Sequence, residues 1–434
     1  MRLEMAEFPV AKIILGNKFC YDSGILEIDT AELKHVVLQD KRIQDAWFEV
    51  VFPGEKTRIT GIRDIVEPRA KVEGRGQVFP GVLGPVTPVG DGRTHRLSGM
   101  AVVTAVDYEG LIRSGSAAQR SAILDMWGPG AEVSRFSALV NLVLGLCLAE
   151  GLAELEAHTA IQRAECEVAK RLAEVTIGVE PRSVMPYDLS VKGSDLPRVA
   201  LIQGSHSDSH HAHSGISYYG LSIRDSLATL VHPNEVLDGA IGVNTTQAVC
   251  HHPTTWDWQN HPLLMELYRE HRKRLSFAGM VLERIRFETH HGKEVIAHNT
   301  AQLVATLGAD GALITWVGGG NAFIDTMLTI AACERRGIKT VLVGYEFGGK
   351  EDADTPLLYY VREADAVVST GSRNRPIQLP EADRIVGPHK EIQVLNYPGA
   401  PVVPARESVK LDALDMIAGG ADIWGLQSWT CRSY

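Results

Sequence analysis

The chain has 434 residues, enough for two or three domains and a large buried core. Its formal net charge of −10, with no Lys/Arg cluster, argues against a nucleic-acid-binding protein, because phosphate recognition needs a basic face. Six widely spaced cysteines predict neither a disulfide framework nor a CxxC zinc site, as expected for a protein of a reducing compartment.

The N-terminal sequence MRLEMAEFPVAK carries acidic residues where an export signal needs an uninterrupted apolar run. The most apolar segment, Ala138–Ala149, is about half the length that a membrane-spanning helix needs. We therefore expect a soluble, cytoplasmic protein that binds neither membranes nor nucleic acids.

Residues 1–120 have the composition of a β-rich domain. Aromatic and β-branched residues predict strands at Trp47–Phe52 and Thr57–Ile65. Between Glu67 and Gly99 the many Gly and Pro residues disfavour a helix and predict tight turns or bulges.

After about residue 120 short apolar runs alternate with helical patterns. The predicted strands are Ala138–Leu146, Arg198–Gln203, Phe277–Ile285, Ala312–Trp316, Lys339–Val343 and Ala364–Ser369. The predicted helices are Leu152–Val175, Leu263–Arg274, Thr300–Leu307 and Asp325–Arg335. This alternation predicts an α/β protein in which a parallel, Rossmann-like βαβ region follows the β-rich domain. We place the α/β domains at residues 121–295 and 296–434.

The stretch Asp238–Pro262 has neither helical nor strand periodicity, and we predict a functional loop there. It contains Cys250, His251 and His252 in a row. A thiol beside two imidazoles can be a nucleophile, a metal ligand or a redox group, so these residues are candidate catalytic residues. The alternative is a buried structural cysteine in an ordered connection.

A second candidate site is the His-rich segment Gly204–Gly215. Its possible metal ligands are His206, Asp208, His210, His211 and His213. Imidazoles with a carboxylate suit a transition metal, possibly zinc. A solvated polar loop is the alternative interpretation.

A third candidate lies after the predicted strand Ala312–Trp316, where Gly318–Asn321 precedes a helix. Ligands of open α/β sheets bind at such strand-to-helix turns. We predict that Asn321 and Glu346, which follow neighbouring strands, bind substrate. The spacing does not match the dinucleotide-binding GxGxxG pattern, and a plain tight turn is equally compatible with it.

Several segments together resemble a known family. They are MRLE, DIVEPRAKVEGRG with FPG after it, VGDGRTHRLSG, DLPRVA, SYYG, HPNEVLDGAI, GADGALIT with GGGN after it, and EADAVVSTG. In this order they resemble the proprotein subunit of component B of the glycine, sarcosine and betaine reductases, which is related to the D-proline reductase proprotein. The resemblance covers nearly the whole chain.

The resemblance implies an oxidoreductase that cleaves a carbon–nitrogen bond of a small amino-acid-derived substrate. Many family members cut themselves at an Asn-Cys step and keep a pyruvoyl group that binds the substrate amine. A selenocysteine of a partner subunit then attacks the carbon that carries the nitrogen. For this chain the resemblance implies an oligomeric assembly with a selenol- or thiol-bearing partner, and Tyr218 and Tyr219 of SYYG as substrate-binding residues.

The chain departs from the family pattern at the cleavage step. Counting from DGAI, the Asn-Cys step falls on Thr245–Thr246, and Cys250 matches a second family cysteine. Thr246 could accept the acyl group, but elimination and hydrolysis would leave a 2-oxobutanoyl group. We therefore expect an uncut chain without pyruvoyl. A quaternary amine such as betaine cannot form a Schiff base, so it does not need that carbonyl.

Three functions compete at this point. The first is a reductase subunit for a small amino-acid-like or N-methylated substrate. The second is a stand-alone metal-dependent hydrolase or lyase that uses the His-rich segment and Cys250. The third is a non-catalytic scaffold subunit. A metal assay separates the second from the others, and co-purification with a reductase partner separates the first from the second.

Overall fold

The computed structural model describes residues 1–107, 122–190, 195–207, 215–243, 253–317, 321–346, 359–372, 375–394, 400–426 and 430–431. Its helices are α1 (Thr30–Val37), α2 (Gly128–Val133), α3 (Glu154–Ala173), α4 (Pro233–Leu237), α5 (Thr255–Gln259), α6 (Pro262–Glu270), α7 (His290–Thr306) and α8 (Ala322–Glu334). No helix among these residues is long and apolar enough to cross a membrane.

The strands of the first half are β1 (Arg2–Pro9), β2 (Lys12–Gly16), β3 (Cys20–Asp22), β4 (Ile25–Asp29), β5 (Ile43–Val51), β6 (Thr57–Val66), β7 (Arg69–Glu73), β8 (Gly92–Ser98), β9 (Met100–Val106), β10 (Ala122–Asp125), β11 (Val140–Leu148), β12 (Ser183–Asp188) and β13 (Arg198–His206). Those of the second half are β14 (Ile216–Tyr218), β15 (Leu221–Ser222), β16 (Thr229–Val231), β17 (Ile241–Val243), β18 (Ser276–Ile285), β19 (Gly311–Val317), β20 (Lys339–Glu346), β21 (Val367–Ser372), β22 (Ile377–Leu379), β23 (Arg384–Val386), β24 (Glu391–Gln393), β25 (Val402–Pro404), β26 (Val409–Leu411) and β27 (Thr430–Cys431).

The chain is a mixed α/β protein, and each predicted strand and helix overlaps an observed one of the same type. Two sequence interpretations need correction. α7 begins at His290, ten positions before the predicted start at Thr300, because the Thr289 hydroxyl caps it by accepting from Gly292 N at 3.2 Å. The stretch Asp238–Pro262 is not loop throughout, since β17 and α5 lie within it. These elements are too short to produce a visible periodicity.

The β-rich part of the chain contains a six-stranded sheet. Its main order is β10-β6-β9-β11-β5, and β23 adds to β6 in parallel. The strand β9 precedes residue 120 and pairs with β11 after it, so this sheet continues across that position. The helix α3 packs its apolar side on this region. The domain boundaries that the sequence suggested, near residues 120 and 295, stay predictions.

The second large sheet has seven strands in the order β16-β18-β13-β19-β20-β21-β27. The five central strands run parallel, and the two edge strands run antiparallel to their neighbours. Buried apolar residues from this sheet and its helices form the largest core cluster, which includes Trp258, Phe277 and Trp316. Across the sheet the five parallel strands are β18, β13, β19, β20 and β21. Only β18 is out of chain order, because it lies on the other side of β13 from β19.

Candidate functional site

The order of the parallel strands indicates where a ligand would bind. From β13 the chain goes first to β18 on one side and then to β19 on the other. Such a reversal leaves a crevice at the carboxyl ends of the two strands that flank it, where open α/β sheets bind ligands. Here these ends are His206 of β13 and Val317 of β19. His206 lies within the His-rich segment selected from the sequence, and Val317 directly precedes the glycine-rich turn.

The described residues around the His-rich segment lie together. Gly215 has a φ of +100°, and a Cβ there would lie 2.4 Å from the carbonyl oxygen of His206. Only glycine fits this position, because the left-handed backbone and the close approach both exclude a side chain. Next to Gly215, Ile216 pairs with Val243 of β17. The His-rich segment and the segment 244–252 are thus joined to adjacent points of one small sheet.

Side chains from three distant parts of the chain hold Val243, the last described residue before segment 244–252. Its carbonyl accepts from Arg63 Nη2 and from Gln162 Nε2, both at 3.2 Å. Its N–H donates to the Thr255 hydroxyl at 3.2 Å. Thr255 in turn donates to Asp64 from its backbone N at 2.9 Å and from its hydroxyl at 2.5 Å. Through Thr255, the single carboxylate of Asp64 connects the residues on both sides of the segment.

A buried group of ionisable side chains adjoins these contacts. It consists of Arg63, Asp64 and Glu165 and is called the Arg63 cluster here. Arg63 Nη1 lies 3.8 Å from Asp64 Oδ2 and 3.9 Å from Glu165 Oε1. Each of the three residues is at most 3% exposed. A guanidinium between two buried carboxyls balances only one negative charge.

Both acids of the Arg63 cluster have a raised pKa. Burial, reinforced by the negative charge of Asp64 and opposed by Arg63, raises the pKa of Glu165 to about 8. Burial also raises the pKa of Asp64, and Arg63 and the hydrogen bonds from Thr255 and from Ile65 N oppose that rise. At neutral pH Glu165 is therefore mainly the neutral acid. Perturbed acids beside a candidate site are typical of functional positions.

A second buried ion pair positions the chain after segment 244–252. Arg69 Nε donates to Glu67 Oε2 at 2.8 Å, and its Nη2 donates to the carbonyl of Gln259 in α5 at 3.0 Å. The Gln259 side chain also bonds both backbone groups of Glu67, at 2.9 and 3.2 Å. The start of α5 is capped by Thr254, whose hydroxyl accepts from Asp257 N at 3.2 Å. These contacts fix Thr255 relative to the β-rich part of the chain.

Aromatic rings pack at the carboxyl end of the parallel sheet. Trp316 stacks on Tyr345 with ring centroids 5.4 Å apart and planes at 17°. Gly344 makes room for the indole, because a Cβ there would lie 2.9 Å from Nε1. His261 Nε2 forms a hydrogen bond with Gln203 Oε1 of β13 at 2.9 Å, and burial lowers the pKa of His261 to about 3. His261 is therefore a neutral ring of the core.

Comparison with known proteins identifies the family. Residues 1–432 match the family of glycine/sarcosine/betaine reductase component B subunits. The chain belongs to this family. It is 32% identical to the glycine reductase complex component B subunits alpha and beta of Acetoanaerobium sticklandii, covering 97% of this chain and 92% of the relative.

The chain is also similar to component B subunits of Peptoclostridium acidaminophilum. The chain is 31% identical to the sarcosine reductase complex component B subunit alpha over the full length of both proteins. It is 32% identical to the betaine reductase complex component B subunit alpha, covering 89% of this chain and 88% of the relative. No solved structure matches the chain. As a component B family member, the chain is related to subunits of reductase complexes.

Most of the catalytic and metal residues predicted for this component B family member lie outside the described residues. They are Thr246, Cys250, His251, His252, Asp208, His210, His211 and His213. His206 is described, and it is a buried residue at the end of β13 whose ring meets Phe287 edge-on at 5.5 Å. Within the described ranges no three His, Cys, Asp or Glu side chains are grouped as metal ligands. The metal site stays a prediction.

The predicted substrate-binding residues lie in three places. Tyr219 donates to Glu235 Oε1 at 2.6 Å and Tyr218 donates to Glu235 Oε2 at 3.2 Å, so both hydroxyls already have a protein acceptor. Burial and the Glu235 carboxylate raise the pKa of both phenols. Asn321 is exposed at the start of α8, and Glu346 is the last residue of β20. A substrate role for these four residues stays a prediction.

Sequence analysis missed the Arg63 cluster, although two signals point to it. Arg63 and Asp64 are consecutive charges inside β6, a strand that is buried along its whole length. Glu165 lies on α3 between Ile161 and Val168, at the i+4 position of the helix face that packs into the core. Charges at such positions are seldom tolerated without a partner, so their presence indicates a buried polar site.

Proposed function

We propose that this chain is the substrate-binding subunit of a reductase complex that cleaves the C–N bond of a small amino-acid-like or N-methylated substrate. The proposal rests on one observation above the others. The described residues on both sides of segment 244–252 are held by one buried charge cluster, in a chain that matches the component B family from residue 1 to 432. The related subunits are named for glycine, sarcosine and betaine complexes, which supplies the substrate class.

In the proposed reaction, a selenolate or thiolate of the partner subunit attacks the carbon that carries the nitrogen. A carbon–selenium or carbon–sulfur bond forms as the C–N bond breaks, and the amine leaves with the bonding electron pair. The released amine is then protonated by the solvent. The contribution of this chain is to position the substrate at the carboxyl ends of β13 and β19. We also propose that the parallel sheet acts there as a Rossmann-like ligand platform.

A test of the function uses the purified chain together with its co-purifying partner. Glycine, sarcosine and betaine are supplied in turn, and the released ammonia, methylamine or trimethylamine is measured. Release of one amine that requires both proteins and a dithiol reductant supports the proposal. Absence of all three amines from a complex that binds its partner would overturn it.

We further propose that the chain works uncut and without pyruvoyl, because Thr245–Thr246 occupies the place of the family's Asn-Cys step. A threonine hydroxyl is a poorer acyl acceptor than a thiol. The intact-mass spectrum is expected to show one species with the mass of the full chain and no hydrazine-reactive carbonyl.

The matched control for processing is the double variant Thr245→Asn/Thr246→Cys, which restores the family's residues at this step. We expect fragments meeting at positions 245 and 246 from this variant alone. Fragments or a reactive carbonyl from the unmodified protein would show that the threonine pair is processed.

A transition metal bound by the His-rich segment is proposed as a separate feature. Elemental analysis is expected to find about one transition-metal ion per chain, and His211→Ala/His213→Ala is expected to remove it without unfolding the protein. His290→Ala/His291→Ala, at the start of α7, is the matched control and should leave the metal content unchanged. Metal-free protein with full activity would rule out a functional metal here.

A further inference from the structure

The outward side of α8 is apolar. In the stretch Ala322–Cys333 the only charged residue is Asp325, which is buried and paired with Lys293 of α7. The partly exposed positions of this stretch are apolar and lie one turn apart, at Ile324, Leu328 and Ala332. A surface helix of a globular protein normally presents polar residues to the solvent at such positions. The pattern of α8 therefore indicates a helix whose outer side is covered in the assembled protein.

A groove of about 460 Å³ lies between α7 and α8. Its floor is apolar and consists of Ala297, Leu328, Ala331 and Ala332. Its rim is polar and consists of Glu294, His298, Arg335 and Arg336. The helices connect successive parallel strands, α7 from β18 to β19 and α8 from β19 to β20, so they run in the same direction. Glu294, near the start of α7, and Arg336, just after α8, therefore lie toward opposite ends of the groove.

The charges at the two ends of the groove are not paired with a permanent opposite charge among the described residues. The Glu294 carboxylate lies 3.6 Å from His290, and both side chains are more than half exposed. Arg336 Nη2 contacts the His298 ring at 3.3 Å, and within the described ranges no carboxylate lies within ion-pair distance of Arg336. Arg335 differs, since its guanidinium pairs with Glu363 at 3.1 Å. The groove thus has one anionic and one cationic end.

We propose that the groove between α7 and α8 is the interface of a homodimer, in which a second copy of this chain packs across a two-fold axis. Such an axis through the apolar floor reverses the direction of the groove, so Glu294 of each copy meets Arg336 of the other. The two floors cover each other, and the end charges form two equivalent ion pairs. This self-complementary arrangement of charge identifies a second copy as the occupant. The inference concerns the assembly of the chain and does not depend on the proposed reaction.

The first measurement is sedimentation velocity of the full-length chain over a dilution series, and a dimer is expected. Leu328→Arg places a charge in the apolar floor and is expected to raise the dimer dissociation constant about 100-fold or more. Leu221→Arg is the matched control, because Leu221 is a 77% exposed leucine of β15, and it should leave the constant unchanged. Thermal unfolding of each variant verifies that it is folded.

The second measurement reverses the charges at the two ends. Glu294→Arg and Arg336→Glu are each expected to raise the dissociation constant at least about tenfold, because like charges then meet at both symmetric contacts. An equimolar mixture of these two variants should form dimers again, since a heterodimer contains one original and one reversed ion pair. The double variant Glu294→Arg/Arg336→Glu should likewise dimerise as the unmodified protein does.

Three results would overturn the proposal. The first is a chain that stays monomeric over the whole dilution series. The second is a dimer that neither Leu328→Arg nor the charge reversals weaken. The third is a mixture of the two reversed variants that dimerises no better than either variant alone. A monomeric chain whose Leu328→Arg variant no longer binds the reductase partner would assign the groove to that partner in place of a second copy.

Discussion

Replacing Cys250 by serine is expected to lower turnover at least about 100-fold at nearly unchanged stability. Cys250 lies in segment 244–252, which follows Val243, and the Arg63 cluster holds Val243 and Thr255 on either side of it. It is followed by His251 and His252, and a protonated imidazole lowers the pKa of a neighbouring thiol. A serine hydroxyl keeps the size of the group but is neither a nucleophile nor a ligand of comparable strength near neutral pH.

The measurement is amine release by the partner complex, with thermal unfolding as the stability reference. Cys147→Ser is the matched control, because Cys147 is a free and exposed cysteine of β11. Alkylation of Cys250 that is slowed by substrate would support a place in the site. Turnover of Cys250→Ser within about threefold of the unmodified protein would show instead that Cys250 is a structural residue.

Replacing Arg58 by methionine is expected to lower the free energy of unfolding by about 3–5 kcal/mol. Arg58 is fully buried and binds Asp125 through two parallel hydrogen bonds, Nε to Oδ1 at 2.6 Å and Nη2 to Oδ2 at 2.9 Å. It also donates to the carbonyls of Ala405 at 2.7 Å, Pro380 at 3.0 Å and Glu407 at 3.2 Å. Methionine fills the space but removes the donors of a buried carboxylate and of three carbonyls. The segments around residues 380 and 405 should become sensitive to proteolysis as well.

The loss caused by Arg58→Met should depend on pH. Burial already raises the pKa of Asp125, and removal of Arg58 takes away the group that opposes this rise. A carboxyl with a higher pKa in the folded than in the unfolded state binds more protons when folded, so stability falls as pH rises. The variant should therefore lose less stability at pH 5 than at pH 8, as measured by urea unfolding.

Two further variants control the Arg58 experiment. Arg58→Met/Asp125→Leu removes both charges and should recover a large part of the loss, because the remaining cost is that of the three carbonyls. Arg75→Met breaks the exposed ion pair with Asp91 and should change stability by less than about 1 kcal/mol. Equal losses in the single and double variants would show that the carbonyl contacts, and not the unpaired Asp125, carry the effect.

Sequence patterns predicted the central elements well because those elements are long and apolar. Phe277–Ile285 was predicted as a strand and β18 extends from Ser276 to Ile285, with every position but one buried. The 20-residue helix α3 was likewise found from its Ala-, Glu- and Leu-rich pattern. Short elements were missed where side-chain hydrogen bonds define them. The five residues of α5 are specified by the Thr254–Asp257 capping box and by the burial of Trp258, neither of which gives a period.

The amino-acid sequence by itself determined the family and the mixed α/β class. These features depend on local periodicity and on the order of motifs, and both can be taken directly from the amino-acid sequence. The Arg63 cluster was decided only by the tertiary structure. Its members come from β6 and α3, and it reaches Thr255 across 191 positions of the chain. A charged residue within an apolar strand indicates that it has a buried partner, because an unpaired buried charge is costly. The partner can come from any part of the chain, so only the packing of distant elements determines which residue it is.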